Sequence, residues 1–242
     1  MTLLTVSLAP VVIIAAYIYF RDKYEKEPVF LLLLSLLAGA FITLPIAVSE
    51  SLLAKLSVNF EGLMKPFWHA FVVAGFTEEL FKYLAMFLLI WKRREFNEKF
   101  DGIVYAVFIS LGFAGVENIM YVAQGGQVTG LIRAFTAVPA HAFFGITMGY
   151  FFGYAKFRQR YRLAWKIKAL VYPVILHGIY DFILMVGIDW LLIVFIGFVI
   201  LMYIIALKRM KKLSAESTEM TELALLKQKF QIENYNDEST GL

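Results

Sequence analysis

The apolar run 67–91 contains the stretch GFTEELFKYL, which sets Glu78, Glu79 and Lys82 among residues suited to hydrocarbon. A charge at the centre of a bilayer costs roughly 2.5–3.5 kcal/mol on insertion scales, so three of them in one span need compensation and a purpose. Other apolar runs carry polar groups too: Glu117 and Asn118 in GVENIMY, Arg133 and His141 in the next run, and His177 with Asp181 in HGIYD. There is no cysteine, no HExxH, no nucleophile-elbow serine and no glycine-rich phosphate loop. What remains is carboxylate and imidazole, a set suited to activating water. A buried glutamate serves as general base, and a histidine oriented by a carboxylate steadies an oxyanion. Peptide hydrolysis needs both functions. The same side chains also suit a divalent metal, and that variant stays open.

The elements that must position these groups are membrane helices. The chain has 242 residues, 60% hydrophobic and only 17% charged, where soluble domains carry about 25% charged residues. A span needs about 20 apolar residues, and seven runs qualify: 3–20, 29–48, 67–91, 102–123, 131–154, 169–186 and 189–207. The first lacks a basic flank before it and reads as a retained anchor rather than a cleaved signal. All four tryptophans fall near inferred span ends, as an interfacial belt places them. Lysine and arginine concentrate in the first, third and fifth loops and in the tail from Lys208. The positive-inside rule then predicts seven crossings with the N-terminus outside and the C-terminus cytoplasmic. The expected fold is an all-α polytopic bundle over 1–208, followed by a cytoplasmic polar tail, 209–242, that is either amphipathic or disordered. Its location is the cell membrane.

Depth brings the polar groups together. At 1.5 Å per residue, Glu78, His141 and His177 lie about 14–16 Å below the outer boundary, and Glu117 and Asp181 about 8–9 Å below it. Facing agrees. Glu78 and Lys82 are four apart, as are His177 and Asp181, so each pair shares a helix face. Small residues at four-residue spacing (Gly102, Ala106, Ser110, Ala114; and Ala137, His141, Gly145, Gly149) predict close helix contact on those faces. Arg133, just inside the boundary, is expected to snorkel, and His69 is expected to be incidental.

EELFK, GVENIMY, the histidine of AVPAHAFFGITMGYFFG, and HGIYD, with FRDKYEKEP and DGIVYA, resemble the PrsW intramembrane protease family over about residues 9–210. They are similar, more distantly, to the CAAX-protease superfamily. The resemblance implies a glutamate-dependent peptidase without a required cofactor, with a divalent metal as the less favoured variant. It implies Glu78, Glu79, His141, His177 and Asp181 as catalytic residues, and Lys82, Glu117 and Asn118 as supporting ones. Asp181 stands where the distant relatives have asparagine, so its role is either to donate to an oxyanion or to orient His177, with Asn118 as an alternative donor. The expected mechanism has Glu78 or Glu79 as base on a water, aided by His141, with His177 facing the oxyanion and Lys82 holding the second glutamate. The implied partners are the lipid bilayer and a single-pass membrane anti-sigma factor, cut near the extracytoplasmic surface as the first step of regulated proteolysis. No nucleic acid is expected. Two rivals use similar residues: a proton-coupled transporter, and a seven-helix receptor with Lys82 as a Schiff-base site.

Overall fold

The computed structural model describes residues 3–22 and 25–240, with side chains as far as residue 217. Among the described residues every element is helical. The order is α1 (Leu3–Arg21), α2 (Val29–Phe41), α3 (Thr43–Lys55), α4 (Met64–Trp68), a π-helix (His69–Phe76) continuing into α5 (Thr77–Leu89), α6 (Lys99–Phe135), α7 (Ala137–Phe157), α8 (Arg162–Met185) and α9 (Leu191–Thr240). Among the described residues five helices are long and apolar enough to cross a membrane: Leu3–Arg21, Val29–Lys55, Lys99–Phe157, Arg162–Met185 and Leu191–Ser217. The segment 64–89 stands outside that group and carries Glu78, Glu79 and Lys82. Large apolar side chains such as Phe30, Leu88 and Ile193 point outward while the ionisable ones turn in, the reverse of a water-soluble bundle and what a bilayer demands.

α6 and α7 form the centre, with α1 and α2 against α6, α8 against α7 and the π-helix, and α9 along α7. The small-residue ladders lie in the α6–α7 contact as their spacing predicts. A Cβ on Gly102 would stand 2.6 Å from the Gly149 carbonyl oxygen, so only glycine permits this approach of the two backbones.

Helix ends depart from the expected spans in three places, each with a local cause. α2 passes into α3 at Ile42, because Pro45 cannot donate to the Phe41 carbonyl, and the Thr43 hydroxyl donates to the Ala40 carbonyl at 2.6 Å. The chain therefore stays helical to Lys55, well past the expected end at 48. In α6 the expected loop QGGQVTG is a single break at Gly126 (φ 75°, ψ −167°), a backbone state that favours glycine. A short helical piece then leads to a second break at Thr136, and Pro139 sits in the first turn of α7, where its missing N–H costs nothing. α9 runs on past residue 208 as one helix, with Met210 and Leu213 buried. Glu216 accepts from Lys99 at 2.5 Å and from the Tyr154 hydroxyl at 2.6 Å. The amphipathic or disordered character expected of the tail falls mostly on side chains 218–242, outside the described ones.

The motifs FRDKYEKEP and DGIVYA meet each other rather than the polar layer. Asp101 caps α6 by accepting from the backbone N–H groups of Asn97 (2.9 Å) and Glu98 (2.6 Å). One turn on, the Tyr105 hydroxyl donates to Glu27 in the α1–α2 connection. Burial pushes the Glu27 carboxyl up to about 7 and Asp22 to about 6.

Candidate active site

The paired glutamates owe their placement to the π-helix. Its wider turn leaves the Thr77 hydroxyl free to donate to the Val72 carbonyl at 3.1 Å, and it resets the phase of α5. Glu78, Glu79 and Lys82 are all buried as a result, Glu79 and Lys82 to 0% and 1% exposure. π-Turns of this kind recur at functional sites. Gly75, inside the π-helix, brings α8 close: a Cβ there would lie 3.1 Å from the Gly178 backbone nitrogen and 3.2 Å from the Val174 carbonyl oxygen. That approach sets His177 against Glu79.

Four helices then converge. The Lys82 ammonium donates to Glu78 Oε2 at 3.0 Å and Glu79 Oε1 at 2.8 Å, and lies 3.2 Å from His141 Nδ1. Since an ammonium only donates, His141 accepts through Nδ1 and carries its proton on Nε2, which faces Glu117 Oε2 at 3.0 Å. Arg133 closes the far side of Glu117 at 2.7 Å. His177 Nδ1 is 3.0 Å from Glu79 Oε1, and its Nε2 is 3.3 Å from Asp181 Oδ2. The Phe144 ring stacks on His177 at 4.7 Å and fixes its plane. A cavity of about 450 Å³ opens over this cluster, lined by Glu78, Glu117, His141, His177 and Asp181.

The structure thus gathers Glu78, Glu79, Lys82, Glu117, His141, His177 and Asp181 into one place. Asn118 does not line the cavity; its amide donates to the Ser7 carbonyl at 2.9 Å and accepts from Arg133 at 2.9 Å. Arg133, expected to snorkel, instead holds Glu117 and Asn118. His69 lines the cavity, with Nε2 2.9 Å from the Ser57 hydroxyl. Glu50 was missed altogether. It lines the cavity from α3, two residues beyond the run expected to end at 48, and the only sequence signal was the helix-compatible stretch continuing past it.

One oxygen each from Glu78 and Glu79 and one nitrogen each from His141 and His177 lie within 4.8 Å of one another, all buried. Such a set suits a divalent transition metal. Two further features fit. Glu79 Oε2 is buried without a hydrogen-bond partner among the described residues, and each histidine turns its other nitrogen to a carboxylate, Glu117 or Asp181. That carboxylate–histidine arrangement is the usual outer support of a metal ligand. The Lys82 ammonium now engages three of the four groups.

Comparison with known proteins identifies the family. Residues 27–207 match the family model described as PrsW family intramembrane metalloprotease. The chain is 38% identical over 216 residues to a protein named protease PrsW from Clostridioides difficile (strain 630), covering 87% of this chain and 90% of that one. It is 33% identical over 222 residues to the protease PrsW of Bacillus subtilis (strain 168), covering 91% and 99%, and 34% identical to that of Halalkalibacterium halodurans over 87% and 96%. No solved structure matches the chain. The family description overturns the expectation that no cofactor is required: these are metalloproteases, and the buried two-glutamate, two-histidine set accommodates an ion. In the sequence these four residues lie on three helices, with no local HExxH-type spacing to point to a metal.

Proposed function

The chain belongs to the PrsW family of intramembrane metalloproteases, a multi-pass membrane peptidase, and on that premise we propose that it makes the first cut in a single-pass anti-sigma factor, near the extracytoplasmic surface. Family membership sets aside the transporter and the receptor. The observation that carries the site assignment is the buried meeting of Glu78, Glu79, His141 and His177 beneath one cavity. The placement of the cut rests on topology. In the proposed arrangement α1, α2 with α3, the segment 64–89, α6 up to Gly126, α7, α8 and α9 make seven crossings. The basic loops lie in the cytoplasm, and the polar layer sits toward the outer side.

In this proposal Glu78, Glu79, His141 and His177 are the groups that would hold the ion. When bound, a divalent ion acts there as a Lewis acid on a carbonyl oxygen and acidifies water beside it. The chain's own residues do the rest. One of the two glutamates takes the proton of the attacking water. Glu117 fixes the tautomer of His141 by accepting its Nε2 proton, and Arg133 holds Glu117 in place. Asp181 does the same for His177, and its 3.3 Å approach to Nε2 supports the orienting role over the donating one. Lys82 donates to both carboxylates in a medium of low dielectric, its ammonium steadied 4.2 Å above the Phe113 ring.

The test is single alanine substitution of Glu78, Glu79, His141 and His177, with folding checked, against a co-expressed single-pass anti-sigma factor. Each variant should lose the membrane-proximal fragment. Cleavage that survives all four refutes the assignment.

A further inference from the structure

The cavity over the site is one arm of a longer cleft. A second cavity, of about 280 Å³, lies between α3 and α6 and is lined by Ala47, Phe113 and Met120, and it shares Glu50, Glu78, Glu117 and Tyr121 with the first. The two therefore join around Glu78. One arm runs under α7 and α8; the other runs out beside α3. A strand-like peptide laid along the cleft with its scissile bond at Glu78 would send neighbouring side chains into both arms, since alternate residues of an extended chain face opposite ways.

The carboxylates along this cleft are not equivalent. Glu78 and Glu79 are paired with Lys82, Glu117 with Arg133, and Asp181 with His177. Glu50 lines both arms, is half-buried, and makes no hydrogen bond or ion pair among the described residues. Overall charge points the same way. Five carboxylates (Glu50, Glu78, Glu79, Glu117 and Asp181) face two fixed cations, Lys82 and Arg133, and neutral ligand histidines. A divalent ion still leaves one negative charge over, and of the five only Glu50 makes no hydrogen bond or ion pair among the described residues. An unpaired carboxylate at this depth is costly unless a partner arrives.

We propose that Glu50 is a specificity-determining residue: with the α3–α6 arm it forms a subsite that receives a lysine or arginine side chain of the substrate, next to the scissile bond. This rests on the peptidase assignment of the same cleft. An aliphatic stem suits the apolar wall of Ala47, Phe113 and Met120, and the charged head reaches Glu50 at the junction. A basic side chain suits this arm better than an apolar one, because among the described carboxylates of the cleft only Glu50 lacks a hydrogen bond or ion pair.

The experiment uses the full-length protein in lipid nanodiscs and a synthetic single-pass probe peptide. Each of three positions on either side of the cut carries lysine, glutamine or glutamate in turn. Binding is read by fluorescence anisotropy under conditions where turnover is stopped by chelation, and cleavage is read separately with metal present. At one or two adjacent positions the lysine probe should bind about tenfold or more tighter than the glutamate probe, the effect of a desolvated charge pair. That ratio should fall to near one in Glu50→Gln and invert in Glu50→Lys. A wild-type ratio near one at every position, or a ratio unchanged in Glu50→Gln, overturns the proposal, as does failure of every probe to bind. A Glu50-dependent lysine preference in binding, with no cleavage of any bound probe, supports the subsite while refuting the peptidase role of the cleft, so the two failures are distinguishable.

Discussion

Replacing Lys82 by methionine removes the one cation that neutralises Glu78 and Glu79 while keeping most of the side-chain volume. The ammonium donates at 3.0 and 2.8 Å to the two carboxylates, and all three groups are almost fully buried. Breaking a buried pair by removing one partner costs about 3–5 kcal/mol, which for a chain of this size corresponds to a fall in melting temperature of roughly 6–20 °C. The same geometry predicts how the loss is reversed. The lysine engages Glu78, Glu79 and His141, three of the four groups that would hold an ion, so in Lys82→Met those groups are freed for it. A ligand at a hundred times its dissociation constant returns about 2.7 kcal/mol. Unfolding in detergent, followed by intrinsic tryptophan fluorescence with chelator or with added zinc or manganese, therefore separates the contributions. Lys82→Met should melt well below wild type in chelator and recover by more than wild type gains when the ion is added. A variant that melts within 2 °C of wild type in chelator refutes the view that Lys82 carries the charge balance of the site.

Three further outcomes follow from the packing and the outer support. Gly75→Val should leave the chain helical by circular dichroism yet reduce cleavage at least tenfold, because its side chain meets backbone of α8 at about 3 Å and pushes His177 from Glu79. Glu117→Gln should lower metal affinity about 10–100-fold, as the loss of an outer-shell partner does, measured by competition with a chromogenic chelator; an unchanged affinity would mean that His141 needs no orientation. Glu27 lies outside the spans, and burial lifts its carboxyl to about 7, so the folded state holds a proton that the unfolded chain has lost. Stability from this group is present below its ordinary value near 4.5 and disappears as pH rises toward 7, by up to about 1.4 kcal/mol per pH unit. Glu27→Gln should flatten that part of the pH–stability curve, and a curve as steep as wild type would assign the slope elsewhere.

The sequence made some of this legible and hid the rest for physical reasons. Charged residues inside apolar runs are rare enough that Glu78, Glu79, Lys82, His141, His177 and Asp181 could be found from composition and depth alone, and their four-residue spacings gave the right faces. The π-helix could not be seen, because hydropathy periodicity does not distinguish a wide turn from an ordinary one, yet it places both adjacent glutamates inside. Glu50 was hidden by the habit of ending a span where the apolar run ends; α3 carries on because backbone hydrogen bonding, once started, continues through polar residues. Arg133 looked like an interfacial anchor since its partner, Glu117, sits sixteen residues earlier, across the break at Gly126. The metal was legible only as the less favoured variant, because the side chains that could hold it are assembled by helix packing, and that packing depends on close approaches such as Gly75 to α8.

The central claim is that the side chains of Glu78, Glu79, His141 and His177 act together on water at a peptide bond. It is tested most directly by incubating the purified, metal-loaded chain in nanodiscs with a single-pass anti-sigma factor in ¹⁸O-labelled water and weighing the products. The account predicts a single cut whose new carboxyl carries one ¹⁸O atom, with no such product from folded Glu78→Gln or His177→Ala protein. A labelled product of equal yield from both variants would contradict it.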